Sequence, residues 1–389
     1  MKTPTAVMIS ARRSAIGRIG GLHRLRRLED LAVPVMLAAL ADAGCEHKSV
    51  EGLILGNVTA GGNSARVVGL AGGLQETSFA ITVDAQCGSG LTAVISAFHR
   101  VAMGEAEVLL AGGAESLSSA PWRIARPKSP YQMPHFISVE PHAADANGDA
   151  LAFEASEVLA RRLGISRQSQ DEYAAQSHLS AMRARERRQF IGEIVGIRAT
   201  PEEMRDQCHP DADLAELADL SPFNADDGTL TPGNTSAMAD GAAFMVVVSG
   251  RDWKELGMPR GLTLQRSLSC GVPSCEAASA GLAALQGALQ LRAGKPAPDV
   301  TYLAAIEMSE ASAVESIAVT RTLGLNSGVL NGGGGALVRG HPLGAASAVS
   351  VARLFTRLCR TEKSTDRLGA VAQAAIGGLG TAAIFEPVG

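Results

Sequence analysis

Two residues of this chain, Cys87 and His341, are of types that do nucleophilic chemistry, and both sit in the same local setting. Cys87-Gly-Ser-Gly90 runs into Leu-Thr-Ala-Val, and His341-Pro-Leu-Gly344 runs into Ala-Ala-Ser-Ala-Val. In each case the reactive residue lies three positions before a glycine that opens an apolar, alanine-bearing run. The segment FAITV at 79–83 is apolar and β-branched, while LTAVISAF at 91–98 has the spacing of a buried helix. Cys87 is therefore predicted at a strand-to-helix turn, beside the N–H groups that begin a helix. That position is expected to lower the thiol pKa and let a substrate approach the glycine backbone. The plainer alternative is a structural cysteine, since free cysteines are among the most buried residues. His341 taken alone is equally a capping or packed histidine.

The elements that must hold these residues alternate between strand and helix. Residues 5–10 read as a strand, 28–43 as a helix closed by Gly44, 52–56 as a strand and 107–113 as another. Such alternation predicts a layered α/β fold. Prolines at 121, 127, 130, 134 and 141 break the next stretch into loop. Residues 164–188 then read as a charged helix with a start signal at Ser166. Its Arg183, Arg185, Arg187 and Arg188 form either an anion-contacting end or, more simply, a solvated face. The last third returns to α/β alternation, and each half closes on an apolar strand, at 240–248 and 378–385. An internal duplication explains the matched offsets, and it brings two equivalent helix starts to one pseudo-twofold site.

Bulk properties narrow the function classes. The 389 residues are 46% hydrophobic, 19% charged and only 4% aromatic, with 43 glycines. This suits closely packed helices on sheets, in two or three domains. A net charge of −4 gives no electrostatic case for nucleic acid or an anionic membrane. The N-terminal stretch lacks a signal-type apolar core, and no run reaches spanning length. Cysteines 45, 87, 208, 270, 275 and 359 form no CxxC pair, as expected of reduced thiols in the cytoplasm. The eight histidines include no HExxH and no ligand-spaced pair, so no metal site is expected.

Over nearly its whole length the chain resembles the thiolases, the acyl-CoA C-acyltransferases. The resemblance is carried by ARRSAIGRIGGLHRL and ILGNV, by QCGSGLTAV around Cys87, and by GGAESLSSAPW. GISRQSQDEYAAQSH, FNADDGTLTPGNTSAMADGAA and GGGGALVRGHPLGAA follow in family order. It implies a duplicated five-layer α/β/α/β/α fold with an inserted loop domain that holds coenzyme A. Residues 1–118 and 236–255 would form the N-terminal half, 119–235 the loop domain and 256–389 the C-terminal half. It further implies a homodimer or homotetramer acting on an acyl-CoA or acyl-carrier substrate, with no permanently bound cofactor. Cys87 would carry the acyl group, His341 would take the thiol proton, and Gly377 would offer its N–H with that of Cys87 as an oxyanion hole. Ser236 matches a pantetheine contact.

Four departures cluster at the implied pocket. The second cysteine of the family's C-x-G-G-G tail, its α-carbon acid/base, is Ala375 here. The N-E-A-F motif reads Ser309-Glu310-Ala311-Ser312, leaving Ser309 to hold a water from a shorter side chain and Ser312 at a substrate-facing position. The M-G-x-G-P segment is replaced over 277–281, and the loop-domain M-G-x-T-A-E-N motif falls at 152–157. Cys270 and Cys275 are candidates to replace the missing acid. The resemblance implies a thiolase-type enzyme forming or cleaving 3-oxoacyl-CoA. The alternatives are a condensing enzyme or acyltransferase that passes the acyl group on without that acid, or a non-catalytic scaffold.

Overall fold

The computed structural model describes residues 5–137, 150–198, 200–207, 214–224, 227–290, 300–361 and 367–389. Cys208, Pro141, Ala225 and Asp226, which entered the sequence reading, lie outside the described residues.

Nine strands form the main sheet: β1 (Ala6–Ser14), β2 (Gly52–Gly56), β3 (Phe79–Val83), β4 (Val108–Glu115), β5 (Ala239–Ser249), β6 (Gly261–Gly271), β7 (Leu303–Met308), β8 (Leu368–Ala375) and β9 (Leu379–Val388). Their order is β7-β8-β9-β6-β1-β5-β4-β2-β3, with short strands Gly17–Arg18 and Ile194–Val195 attached. The duplication is visible in the pairing. β1-β5-β4-β2 repeats as β6-β9-β8-β7, and the two sets meet through the antiparallel pair Met8↔Leu262. Even the fifth position has an echo. β3 lies parallel beside β2, and Leu330 bridges in parallel to Ile306 of β7.

Five layers follow from where the apolar side chains go. Strand alternation sends Val7 and Ile9 of β1 to one face and Met8 to the other. On the first face they meet α1 (Leu28–Ala43) through Val35 and Met36, with α2 (Ser64–Ala71) alongside. The opposite face packs on two central helices, α3 (Ser89–Ala102) and α8 (Leu343–Phe355). Those helices also bury Val371, Ala383 and Phe385 from the second strand set. The far face of that set is covered by Leu285 and Leu289 of α6 (Ala280–Gln290) and Val319 of α7 (Ala313–Leu323). α1 ends at Gly44, whose φ of 64° suits glycine. The segment after Ala120 holds a short hairpin, Ile124–Ala125 against His135–Phe136, then α4 (Ala150–Leu163) and α5 (Arg167–Glu186). The Ser166 hydroxyl caps α5 by accepting from Ser169 N–H at 3.2 Å, as its position predicts.

A buried charge cluster fastens part of this inserted region to the core. Arg13 of β1 donates to Glu193 and Asp206, each at 2.6 Å, and Arg353 of α8 donates to Glu193 at 2.7 Å. Phe190 lies against both guanidiniums. Burial opposes the charge on Glu193, but Arg353 and Arg13 outweigh it and hold the carboxyl below its usual range.

The two central helices approach closely only because both begin with glycine. A Cβ at Gly90 would lie 2.7 Å from Ala348 Cβ and 3.0 Å from the Gly344 carbonyl. Gly90→Ala is expected to destabilise the protein by about 1–3 kcal/mol through overpacking. Urea unfolding would measure it as a lowered midpoint with unchanged slope. An unaltered midpoint would mean the helix pair has room to spread.

Candidate active site

Cys87 sits where β3 turns into α3. Gln86 just before it takes φ 53°, a left-handed conformation that a non-glycine residue holds only under local constraint. The constraint is visible. Ala85 N–H donates to Ser89 Oγ at 2.8 Å, Ser89 Oγ donates back to the Gln86 carbonyl, and Gln86 N–H donates to Asp84 Oδ1 at 3.0 Å. The expectation of an acidified thiol is overturned. Burial, followed by the charges of Glu315 and Glu115, pushes Cys87 up to about 12, although its own amide and that of Ile376 work the other way. Desolvation of the thiolate outweighs the helix start here. The resting residue is a neutral thiol, and it needs a base.

His341 occupies the equivalent turn before α8, and Gly340 just ahead of it has φ 98°. Its backbone is pinned, with His341 N–H donating to Ala237 O at 2.8 Å and Ala239 N–H donating to His341 O at 3.2 Å. The ring Nδ1 lies 3.1 Å from Ser309 Oγ. In the tautomer that donates Nδ1–H to this hydroxyl, Nε2 carries the lone pair. Among the described residues, the buried Nε2 has no hydrogen-bond partner. Burial, then the charge of Arg339, lowers the imidazole to about 4, so it stays neutral and basic at ordinary pH.

Several contacts lock the two turns together. Ser347 Oγ of α8 donates to the Cys87 carbonyl at 2.9 Å and accepts from Leu91 N–H of α3 at 2.9 Å. Glu115, at the end of β4, accepts from Gly344 N–H at 3.1 Å and from Val58 N–H at 3.0 Å, and Asn57 Nδ2 donates to it at 2.9 Å. A Cβ at Gly56 would lie 2.5 Å from Gly90 N and 2.7 Å from Gly344 O, so both helix starts converge on one point of β2. The pseudo-twofold meeting expected from the sequence is present.

The remaining expected residues divide. Ser309, expected to hold a water, has its hydroxyl on the His341 ring. The direct contact comes from loop geometry that the motif does not encode. Its carbonyl is fixed by Gln373 Nε2 at 2.9 Å, a partner the sequence reading missed. Gly377 has φ 85°, and its neighbour Ile376 turns its amide to the Cys87 sulfur. Ser236 N–H donates to Ala311 O at 2.9 Å, and its half-buried hydroxyl reaches the same oxygen at 3.4 Å. Ser312 is buried, with Oγ donating to Ser156 of α4 at 3.0 Å, and so faces the protein interior. Cys270 Sγ points to the Ala280 carbonyl at 4.0 Å, and Cys275 is exposed. Ala375 is 4% exposed and fills the missing cysteine's place with a methyl group. Arg183, Arg185, Arg187 and Arg188 are exposed. Among the described residues no group of three His, Cys, Asp or Glu side chains could hold a metal ion. No described helix is long and apolar enough to cross a membrane.

Comparison with known proteins agrees with this fold. A family model for the thiolase N-terminal domain matches residues 6–251, and one for the thiolase C-terminal domain matches residues 263–387. The chain is 34% identical over 392 residues to a putative acetyl-CoA C-acetyltransferase VraB of Staphylococcus epidermidis, covering 99% of each. It is 32% identical over 367 residues to a probable acetyl-CoA acyltransferase of Staphylococcus aureus, covering 90% of this chain and 92% of that one. Among solved structures, the Bacillus anthracis acetyl-CoA acetyltransferase superposes with a TM-score of 0.89 at 28% identity, over 99% of both chains. Human mitochondrial 3-ketoacyl-CoA thiolase in complex with CoA gives 0.85 at 26% identity, over 99% of this chain and 98% of that one.

Proposed function

The chain belongs to the thiolase family, and from that premise we propose that it is an acyl-CoA C-acyltransferase that forms or cleaves 3-oxoacyl-CoA through an acyl group on Cys87. The observation that carries this reading is the convergence of two helix starts, one led by a half-buried neutral thiol and the other by a buried neutral imidazole whose Nε2 has no partner among the described residues. In the cleavage direction, His341 Nε2 takes the Cys87 proton as Sγ attacks the 3-oxo carbon. The amides of Cys87 and Gly377 hold the oxyanion. Collapse breaks the C2–C3 bond and leaves the acyl group on sulfur. Free coenzyme A then takes that acyl group and His341 returns the proton.

Ser236, beside the Ala311 carbonyl, is the proposed contact for the pantetheine arm, and Ser312 stiffens the same wall from within. Coenzyme A comes and goes as substrate, with residues 119–235 as the domain that holds it and 1–118 with 236–255 and 256–389 as the two halves. A homodimer or homotetramer fits two features. Strand β3 ends the sheet with an edge unpaired among the described residues, and the hairpin region exposes Trp122, Tyr131, Met133 and Phe136. The five described cysteines are unpaired, as a cytoplasmic location requires.

Intact-protein mass after incubation with acetyl-CoA and with longer acyl-CoAs tests the reading directly. We expect an increment equal to one acyl group, and the donor giving the fastest increment names the preferred chain length. Protein that stays unmodified with every donor would sink the proposal.

A further inference from the structure

We propose that Glu315 is the acid–base group of this site, donating a proton to the α-carbon of the departing thioester enolate and removing one in the reverse direction. This rests on the acyl-transfer reading of Cys87. That reading leaves a vacancy in the chemistry: breaking C2–C3 produces an enolate, and the methyl of Ala375 has no proton to give it.

Glu315 lies in the first turn of α7 and is 5% exposed. The loop leading into α7 already touches the catalytic machinery at its other end, where Ser309 meets His341 Nδ1. Gln373 draws the tail that carries Ala375, Ile376 and Gly377 onto the same loop through its bond to the Ser309 carbonyl. Glu315 Oε2 accepts from Ala311 N–H at 3.2 Å, which fixes the carboxyl to that loop. Among the described residues, Oε1 has no hydrogen-bond partner. Of all the charges that act on the Cys87 thiol, that of Glu315 is the strongest.

The other buried groups nearby face elsewhere. Glu310 Oε2 accepts from Asn331 Nδ2 at 2.8 Å, and its Oε1, which has no hydrogen-bond partner among the described residues, is turned to Gly335. Both Glu115 oxygens are taken by the 57–59 loop and Gly344. Cys270 faces a carbonyl. Burial, reinforced by the Glu310 charge against the pull of the Ala311 amide, pushes Glu315 up to about 8. At neutral pH it holds a proton and is ready to donate it.

The step balances. As the C2–C3 electron pair becomes the enolate, the Glu315 O–H bond breaks and its proton goes to C2, releasing acetyl-CoA and leaving a carboxylate. Water then relays the His341 imidazolium proton to that carboxylate, and the freed imidazole takes the proton of the incoming coenzyme A thiol as its sulfur attacks the acyl-cysteine. The Cys87 thiolate then recovers its proton from His341. No other reactant is needed.

Glu315→Gln keeps an oxygen for Ala311 N–H and removes the acid. Three measurements on it separate the possibilities: acyl loading of Cys87 by intact mass, deuterium uptake at the α-carbon of acetyl-CoA in D2O, and thiolysis of acetoacetyl-CoA. Loading is expected to persist, while deuterium uptake and thiolysis fall by about 10²-fold, the low end for a lost proton-transfer group. Wild-type deuterium uptake in a variant that still loads would overturn the assignment. A second variant, Glu315→Ala, opens space for formate. Uptake that rises with formate supports the role, and a flat response in folded, loading protein overturns it. Failure of the unaltered enzyme to load would overturn the acyl-transfer reading itself, which makes the two failures distinguishable.

Discussion

Cys87→Ala is expected to lower turnover of acetoacetyl-CoA with coenzyme A by about 10⁴- to 10⁶-fold, the range for deleting a covalent nucleophile. The acyl mass increment should vanish with it. The fold should survive, because the thiol is not a structural linchpin. The turn around it is held by Ser89, Asp84 and Ser347, and none of these bonds uses Sγ. A folded Cys87→Ala protein that kept its turnover would place the acyl group elsewhere. The raised thiol pKa adds a second reading from the unaltered enzyme. With Cys87 held near 12, alkylation by iodoacetamide should climb about tenfold per pH unit from 7 to 10, since only the thiolate reacts. A plateau near neutrality would reveal a resting thiolate instead.

His341→Ala should cost about 10³- to 10⁴-fold in the rate of Cys87 loading, the upper range for removing a positioned base. The direction of the pH effect follows from its folded pKa of about 4. Above that value Nε2 is free to accept a proton, and below it the ring is an imidazolium that cannot. Loading by the unaltered enzyme should therefore stay level from neutrality down to about pH 5 and fall as the pH drops through 4. The variant should lack that fall as well as the rate. A midpoint near 6.5 in the unaltered enzyme would mean that the ring is hydrated and that the pocket holding it is open.

Much of the framework was legible in the residues. The runs at 28–43, 52–56 and 79–83 became elements with the expected ends, because Gly44 and the flanking turn residues mark them. The match between Cys87-Gly-Ser-Gly and His341-Pro-Leu-Gly disclosed two helix starts that meet, because close approach demands glycine and glycine is visible in a sequence. What could not be read was desolvation. A cysteine at a helix start looks acidified, but its pKa depends on burial and then on the carboxyl of Glu315, more than two hundred residues away in the chain. Ser312, three positions before Glu315, marks the start of α7, so the glutamate reads as an ordinary first-turn acid. Only the packing of α7 against the site buries it. Gln373 was equally invisible, since its value lies in the Ser309 carbonyl it holds.

Cys87 and His341 each follow a residue of positive φ and each lead into a central helix, one in either half. Strict symmetry would also set the same side chain on both, giving two thiols or two imidazoles. Two thiols would leave the attacking sulfur without a base, and two imidazoles would leave the base without a sulfur to activate. The reaction thus depends on the copies having become unequal in the residue each presents while staying alike in the helix start that presents it. Joining them in a single polypeptide secures that inequality. Each copy varies independently, and every molecule receives one of each kind in equal measure.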